Sequence, residues 1–184
     1  MTLLILGLAI FFGIHSLSIF REKREILINK IGALPYKGLF SVVSILGFVL
    51  LVIGKGRAEF IHIWQPPVIL AMVTKLLMLF AWILMVAAYI PSNAKRIIRH
   101  PMLLSVKLWA LAHLLINGDL ASIILFGSFL AYGVIAMISA NKRSEWLKPD
   151  PKPFYMNIVV IVVALAVYVG VAMHHAQLFG VAVI

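Results

Sequence analysis

The chain has 184 residues, of which 64% are hydrophobic and only 12% are charged, and it has a formal net charge of +10 and no cysteine. A soluble domain has about 45–50% apolar and about 25% charged residues, and a domain this small cannot bury so much apolar surface inside itself. The composition excludes a soluble globule, disulfides and thiolate metal ligands, and predicts a chain embedded in lipid. The basic residues lie in short segments between apolar runs, which favours the lipid bilayer over nucleic acid as their partner.

Six apolar segments follow one another along the chain. A helix needs about 20 apolar residues to cross a hydrocarbon core of roughly 30 Å. The segments are residues 1–20, 38–54, 66–90, 101–116, 120–140 and 154–184. The last exceeds one span, so its tail is expected to leave the membrane. Barrel strands would be shorter and would alternate, so we predict an all-α fold: one transmembrane domain, 1–184, with about six helices.

The segments that connect these predicted spans differ sharply in charge. The connections after the first, third and fifth spans contain twelve basic residues, whereas those after the second and fourth contain only Lys55 and Arg57. The positive-inside rule places the basic connections in the cytoplasm. We therefore expect a multi-pass protein of the bacterial inner membrane with both termini on the non-cytoplasmic side. The first segment lacks a basic region before it, so it does not resemble a cleaved signal peptide.

Polar side chains inside the predicted spans are the candidates for chemistry, because a polar group in hydrocarbon is costly. They are His15, Lys75, Lys107, His113, His174 and His175, with His100 at the cytoplasmic mouth of the fourth span. No Asp or Glu lies within a span. The two lysines must therefore be neutral, reach towards the interface, or meet a bound anion such as a haem propionate or a lipid phosphate.

Two interpretations of the intramembrane histidines stay open on the residues alone. Each can be a packing residue bonded to a backbone carbonyl, or imidazoles from two helices can ligate one metal. Haem suits a helix bundle and commonly takes neutral imidazole as its axial ligand. Zinc is less suitable, because a closed zinc site needs about four ligands. The sequence contains neither common phosphate loop and no nucleophile elbow.

Several stretches resemble the NnrU family of bacterial membrane proteins. They are residues 13–17 (GIHSL), 35–44 (PYKGLFSVVS), 99–118 (RHPMLLSVKLWALAHLLING) and 125–127 (LFG). The family is associated with expression or assembly of the nitrite and nitric oxide reductases of denitrification, and it is related to the plant 15-cis-zeta-carotene isomerases, which use haem b. The resemblance implies haem b ligated by His15 and His113, with His100 nearby and Lys107 as a further cofactor contact.

What this cofactor would do stays open at this point. An accessory or redox role and the cis–trans isomerisation of an apolar polyene both fit the resemblance, so the sequence does not decide whether the protein is an enzyme. By residue count His113 lies roughly 10 Å nearer the outer face than His15, which leaves His100 as another partner for His15.

Two alternative functions remain. Arg99-His100-Pro101 also resembles membrane methyltransferases that bind S-adenosylmethionine, although Glu145 is the only carboxylate in the region where those enzymes have a pair. The other alternative is a cofactor-free assembly or structural role.

The charge asymmetry generates a topology prediction. A reporter enzyme that folds only outside the cytoplasm, fused after Ile184, should be active, because six crossings bring the C-terminus to the side on which the chain starts. A reporter active only in the cytoplasm is the matched control and should be silent at the same position. The reverse pattern would refute the scheme.

Overall fold

The computed structural model describes residues 1–143 and 145–181, and this part of the chain forms seven α-helices. They are α1 (Thr2–His15), α2 (Arg21–Ile31), α3 (Ala33–Gly56), α4 (Leu70–Tyr89), α5 (Pro101–Ile116), α6 (Leu120–Arg143) and α7 (Phe154–Phe179), with 3-10 turns at Ser16–Ser18 and Asn93–Arg96. The described residues contain no β-sheet, and one isolated bridge joins His62 to Asp119. The predicted all-α membrane fold is confirmed.

Each predicted span contains a helix, but the helices differ in length. α3, α4, α6 and α7 are long and apolar enough to cross a membrane, whereas α5 has 16 residues. α1 reaches the required length only together with α2, and the two are bent by 90°. The structure thus has four or five full-length candidate spans, and the count of six crossings stays a prediction.

The structure differs from the sequence-based prediction in the segment after the first span, and it describes only part of the C-terminal tail. The basic segment after the first span, expected to be a connecting loop, folds as α2, and Gly32 joins it to α3 with a φ of 90° that favours glycine. The expected exit of the tail falls partly on residues 182–184, which lie outside the described residues. α7 itself ends at Phe179, followed by Gly180 in the left-handed conformation with its N–H donating to the Ala176 carbonyl.

The chain forms two compact units, unit 1 (Met1–Ile61) and unit 2 (His62–Ile184). The single domain expected from the sequence stays a prediction.

Unit 1 is built on the packing of α1 against α3. Glycines at the contact let the two backbones approach closely: a Cβ on Gly47 would lie 2.8 Å from the Phe11 nitrogen, and one on Gly7 would lie 2.7 Å from the Leu51 nitrogen. Small residues at such contacts drive helix association in lipid, where van der Waals packing replaces the hydrophobic effect between helices.

In unit 2, α5 packs against both α4 and α6, and α7 packs against α4. Two buried hydroxyls tie α4 to α5: Ser105 Oγ donates to the Ala81 carbonyl at 2.7 Å and Thr74 Oγ1 donates to the Ala112 carbonyl at 3.2 Å. Both hydroxyls gain an acceptor that lipid cannot offer. α4 and α5 are thereby the two inner helices of unit 2.

One end of unit 2, named the Gly118 end, joins the segment before α4 to the α5–α6 turn. The N–H groups of Ile63 and Trp64 both donate to the Gly118 carbonyl, at 2.8 and 3.2 Å. A Cβ on Gly118 would collide with the Trp64 carbonyl, so the turn requires glycine.

The opposite end, named the His100 end, joins the α4–α5 and α6–α7 connections. Asn93 accepts a hydrogen bond from the Lys152 N–H at 2.9 Å, and its own N–H donates to Asn157 at 3.0 Å. The two connections that the charge pattern places outside the cytoplasm therefore meet at the Gly118 end. The two that it places in the cytoplasm meet at the His100 end.

The close contact in unit 1 can be tested with one methyl group. Gly47→Ala should lower the free energy of unfolding by about 1–3 kcal/mol, because its Cβ meets the Phe11 backbone and the helices must separate. Thermal unfolding in detergent or nanodiscs measures the effect. Gly38→Ala, on the same helix but with open space around its Cβ, is the control and should cost nothing. Equal melting temperatures for the two variants would show that the contact does not stabilise the pair.

Candidate functional site

His15 is the last residue of α1 and is half-buried within unit 1. Its Nδ1 lies 2.7 Å from the Phe11 carbonyl, which can only accept, so Nδ1 carries the proton and Nε2 has the lone pair of the neutral ring. The imidazole is stacked on the Phe11 ring, with centroids 4.0 Å apart, and it is tilted against Phe40 at 5.0 Å. Aromatic rings from α1 and α3 thus fix its orientation.

His113 lies in the last turn of α5 and repeats this arrangement within unit 2. Its Nδ1 lies 2.9 Å from the Trp109 carbonyl, and its ring is stacked on Phe126 of α6 with centroids 4.4 Å apart. The Trp109 indole contacts His113 at 5.2 Å and meets Phe126 and Phe129 edge-on. A cluster of aromatic side chains thus holds a neutral imidazole whose Nε2 has the lone pair.

The turn after α5 holds the end of the helix that carries His113. Asn117 donates from both its backbone N–H and its side-chain Nδ2 to the His113 carbonyl, at 3.0 and 2.8 Å. Asp119, which is buried, accepts from the Ser122 N–H at 3.0 Å and from the Ser122 hydroxyl at 2.6 Å. Asp119 thereby caps the N-terminus of α6 directly beside this turn.

Other histidines also bond to backbone carbonyls, so this bond alone does not mark a ligand. His174 Nδ1 lies 2.9 Å from the Gly170 carbonyl and His175 Nδ1 lies 2.6 Å from the Val181 carbonyl. His174 is exposed, and the ring of His175 is tilted rather than stacked against Phe179. Parallel stacking on an aromatic ring distinguishes His15 and His113 from the other described histidines.

His100 differs from both, because it bonds through the other ring nitrogen. It caps the start of α5, and its Nε2 donates to Asn141 Oδ1 of α6 at 3.1 Å. Burial lowers the pKa of His100, the Asn141 bond raises it, and the positive charges of Arg99 and Arg143 lower it further. The net pKa is lowered, so the ring is neutral at pH 7.

The structure places the predicted site residues of α5 at different levels. His100 and His113 are 13 residues apart, so roughly 20 Å of helix separates them, and they cannot ligate one metal ion together. Lys107 lies between them, with Nζ 3.1 Å from Met137 Sδ of α6. α5 begins at Pro101 and does not extend further back. His15 belongs to unit 1.

The described residues contain no group of three or more His, Cys, Asp or Glu side chains placed to hold a metal ion. This finding does not bear on a metal held by one or two imidazoles. Glu145, the carboxylate that the methyltransferase interpretation needs, is exposed, and the neighbouring Ser144 lies outside the described residues.

Sequence reasoning missed the aromatic environment of His113. Trp109, Phe126 and Phe129 look like ordinary packing residues of an apolar helix. The spacing of four residues between Trp109 and His113 was the one available signal, since it puts both side chains on one helix face. The contacts of Phe126 and Phe129 depend on how α6 packs against α5.

The cap beside the His113 turn can be tested by substitution. Asp119→Ala should reduce the free energy of unfolding by about 0.5–2 kcal/mol, because the first turn of α6 loses its cap and the buried Ser122 hydroxyl loses an acceptor. Thermal unfolding measures the loss, with Asp150→Ala in an exposed segment as the control. If both variants melt like the wild type, Asp119 does not stabilise this turn.

Comparison with known proteins agrees with the resemblance. A protein-family model described as NnrU protein matches residues 3–183, nearly the whole chain. No curated protein and no solved structure matches the chain. The family match covers both units, including the α1 stretch with His15 and the α5 stretch with His100, Lys107 and His113. The chain is a membrane protein of the NnrU family.

Proposed function

We propose that this NnrU-family protein binds haem b through imidazole ligands and serves as an accessory protein of denitrification, in the expression or assembly of nitrite and nitric oxide reductases. The observation that carries the proposal is the tautomer of two imidazole rings. His113 and His15 each donate Nδ1–H to a backbone carbonyl and keep the Nε2 lone pair.

This arrangement fits the donor chemistry of a haem ligand. A metal-ligating histidine usually donates its other ring N–H to a carbonyl or carboxylate, which sets the tautomer and the ring orientation. The rings around both histidines are apolar and aromatic, so they suit a flat hydrophobic macrocycle. When bound, haem would supply a redox-active iron to a protein whose described spans offer no carboxylate for acid–base chemistry.

The individual residues have separate roles in this proposal. His113 and His15 supply the nitrogen ligands. The Trp109 carbonyl holds His113 in the ligating tautomer, and the two hydrogen bonds that Asn117 donates to the His113 carbonyl keep the end of α5 in place. Because His100 donates from Nε2 to Asn141, it must break this bond to ligate through Nε2, and it is the weaker candidate.

The resemblance offers a second use for the same cofactor, the isomerisation of an apolar polyene taken up from the bilayer. Both uses need haem, so they share the first test. They separate in a second one: an isomerase converts a cis-polyene when the purified protein is reduced, whereas an accessory protein changes the nitrite and nitric oxide reductase activities of a denitrifying host. Nothing in the described contacts favours the methyltransferase alternative.

The haem proposal predicts a Soret band in the purified protein and its loss on removing a ligand. His113→Ala and His15→Ala should each weaken haem affinity by at least roughly tenfold, or convert the spectrum from six-coordinate low-spin to high-spin, because one iron position becomes open. Absorbance titration with haem measures both effects. In a host lacking the gene, the same variants should fail to restore nitrite and nitric oxide reductase activities.

Two histidines serve as matched controls. His174→Ala removes an exposed imidazole with the same carbonyl bond, and His62→Ala removes an exposed one at the Gly118 end. Both should keep the wild-type spectrum and haem content. If His113→Ala and His15→Ala also keep them, the ligand assignment is wrong, and the two residues are hydrogen-bonded packing histidines.

A further inference from the structure

Three basic side chains lie along the contact of α5 and α6, from the His100 end of unit 2 to the middle of α5. We call this set, His100, Lys107 and Arg143, the α5–α6 basic groove. His100 bonds Asn141, Lys107 approaches Met137, and Arg143 donates to Ser139 Oγ at 2.9 Å. The groove shares no residue with the aromatic cluster around His113, and it extends from the middle of α5 to the His100 end.

The helix geometry directs Lys107 towards this end. Side chains of an α-helix tilt towards its N-terminus, and α5 begins at the His100 end. Residues seven apart lie almost on one helix face, so Lys107 follows His100 along the same stripe. The Lys107 stem packs against α6 where Gly133 leaves room: a Cβ on Gly133 would lie 2.8 Å from Lys107 Cγ. The ammonium is therefore held against α6.

The partner of this ammonium is a poor one. Its hydrogen bond goes to a thioether, which is a weak acceptor, while an ammonium has three donors. No Asp or Glu lies within α5 or α6. Arg143 adds positive charge at the His100 end of the groove, and the neutral His100 adds none. A cation at this depth without an anion is costly in a membrane. Binding of an anion beside Lys107 would therefore be favourable.

The surroundings indicate the kind of anion. Val134 and Ile138 flank Met137 on α6 and are 41 and 50% exposed. An acyl chain can lie on this surface while a phosphate reaches the groove. Lys75 offers a contrast, because it is exposed on α4 and does not belong to the α5–α6 contact.

We propose that the α5–α6 basic groove binds the phosphate of an anionic phospholipid, with Lys107 as its central cation. The inference does not depend on haem binding. The same cation chemistry would accept a carboxylate such as a haem propionate or a free inorganic phosphate, and the test separates these sources.

The test compares full-length protein in nanodiscs of phosphatidylcholine with and without phosphatidylglycerol. Phosphatidylglycerol should raise the melting temperature of the wild type, and native mass spectrometry should detect retained lipid. Lys107→Met, which keeps the length and removes the charge, should lower phosphatidylglycerol affinity about fivefold, equivalent to about 1 kcal/mol for one cation. Lys75→Met is the matched control and should keep the full effect.

Lys107→Arg guards against a variant that fails to fold: it keeps the charge and should retain phosphatidylglycerol binding. If Lys107→Met binds phosphatidylglycerol as the wild type does, the proposal fails. It also fails if inorganic phosphate alone, or haem in pure phosphatidylcholine, produces the same Lys107-dependent rise, because the anion is then not a lipid headgroup. Loss of the Soret band in His113→Ala leaves this result unchanged, which keeps the two proposals separable.

Discussion

The lack of water in the bilayer core is the constraint on which the rest of this structure depends. Every polar group placed in hydrocarbon must find its partner within the protein. Helices satisfy the backbone, and the side chains follow the same rule: Ser105 and Thr74 donate to carbonyls of a neighbouring helix, and His15 and His113 donate to carbonyls of their own. Polar residues therefore occupy defined positions in an otherwise apolar fold.

The same constraint determines which ring nitrogen of each histidine carries the proton. A neutral imidazole has one donor and one acceptor nitrogen, and the backbone carbonyl takes the donor. The acceptor nitrogen is thereby assigned to Nε2 in His113 and His15, whereas the Asn141 bond assigns the opposite tautomer to His100. A packing histidine and a metal ligand look alike up to this point. The stacking of the rings on Phe11 and Phe126 adds the rigid, apolar surroundings that a bound macrocycle requires.

The two ends of unit 2 differ in the side chains and hydrogen bonds that they contain. The Gly118 end is closed by backbone bonds and by the Asp119 cap, and it holds the turn beside His113. The His100 end collects basic side chains and has the polar contacts of Asn93 and Asn141. Under the positive-inside rule this end is expected to face the cytoplasm, where the proposed phosphate site would meet anionic headgroups.

The sequence by itself determined the solvent, the helical class and the order of the apolar segments, because these depend on composition and on runs of residues that are local in the chain. It also singled out His15, His100, Lys107 and His113, because a polar residue in an apolar run is visible without a structure. It did not foresee α2, since a basic segment of mixed polarity has no clear period. It treated Trp109 and Phe126 as ordinary packing.

Only the tertiary structure decided which side chains meet. It stacks the Phe126 ring on the His113 ring, hydrogen-bonds the Asn141 amide to His100, and brings Gly133 next to the Lys107 stem. These contacts depend on the register and distance between α5 and α6. Such contacts join residues far apart in sequence, and the packing of one helix against another, which no local pattern encodes, selects them.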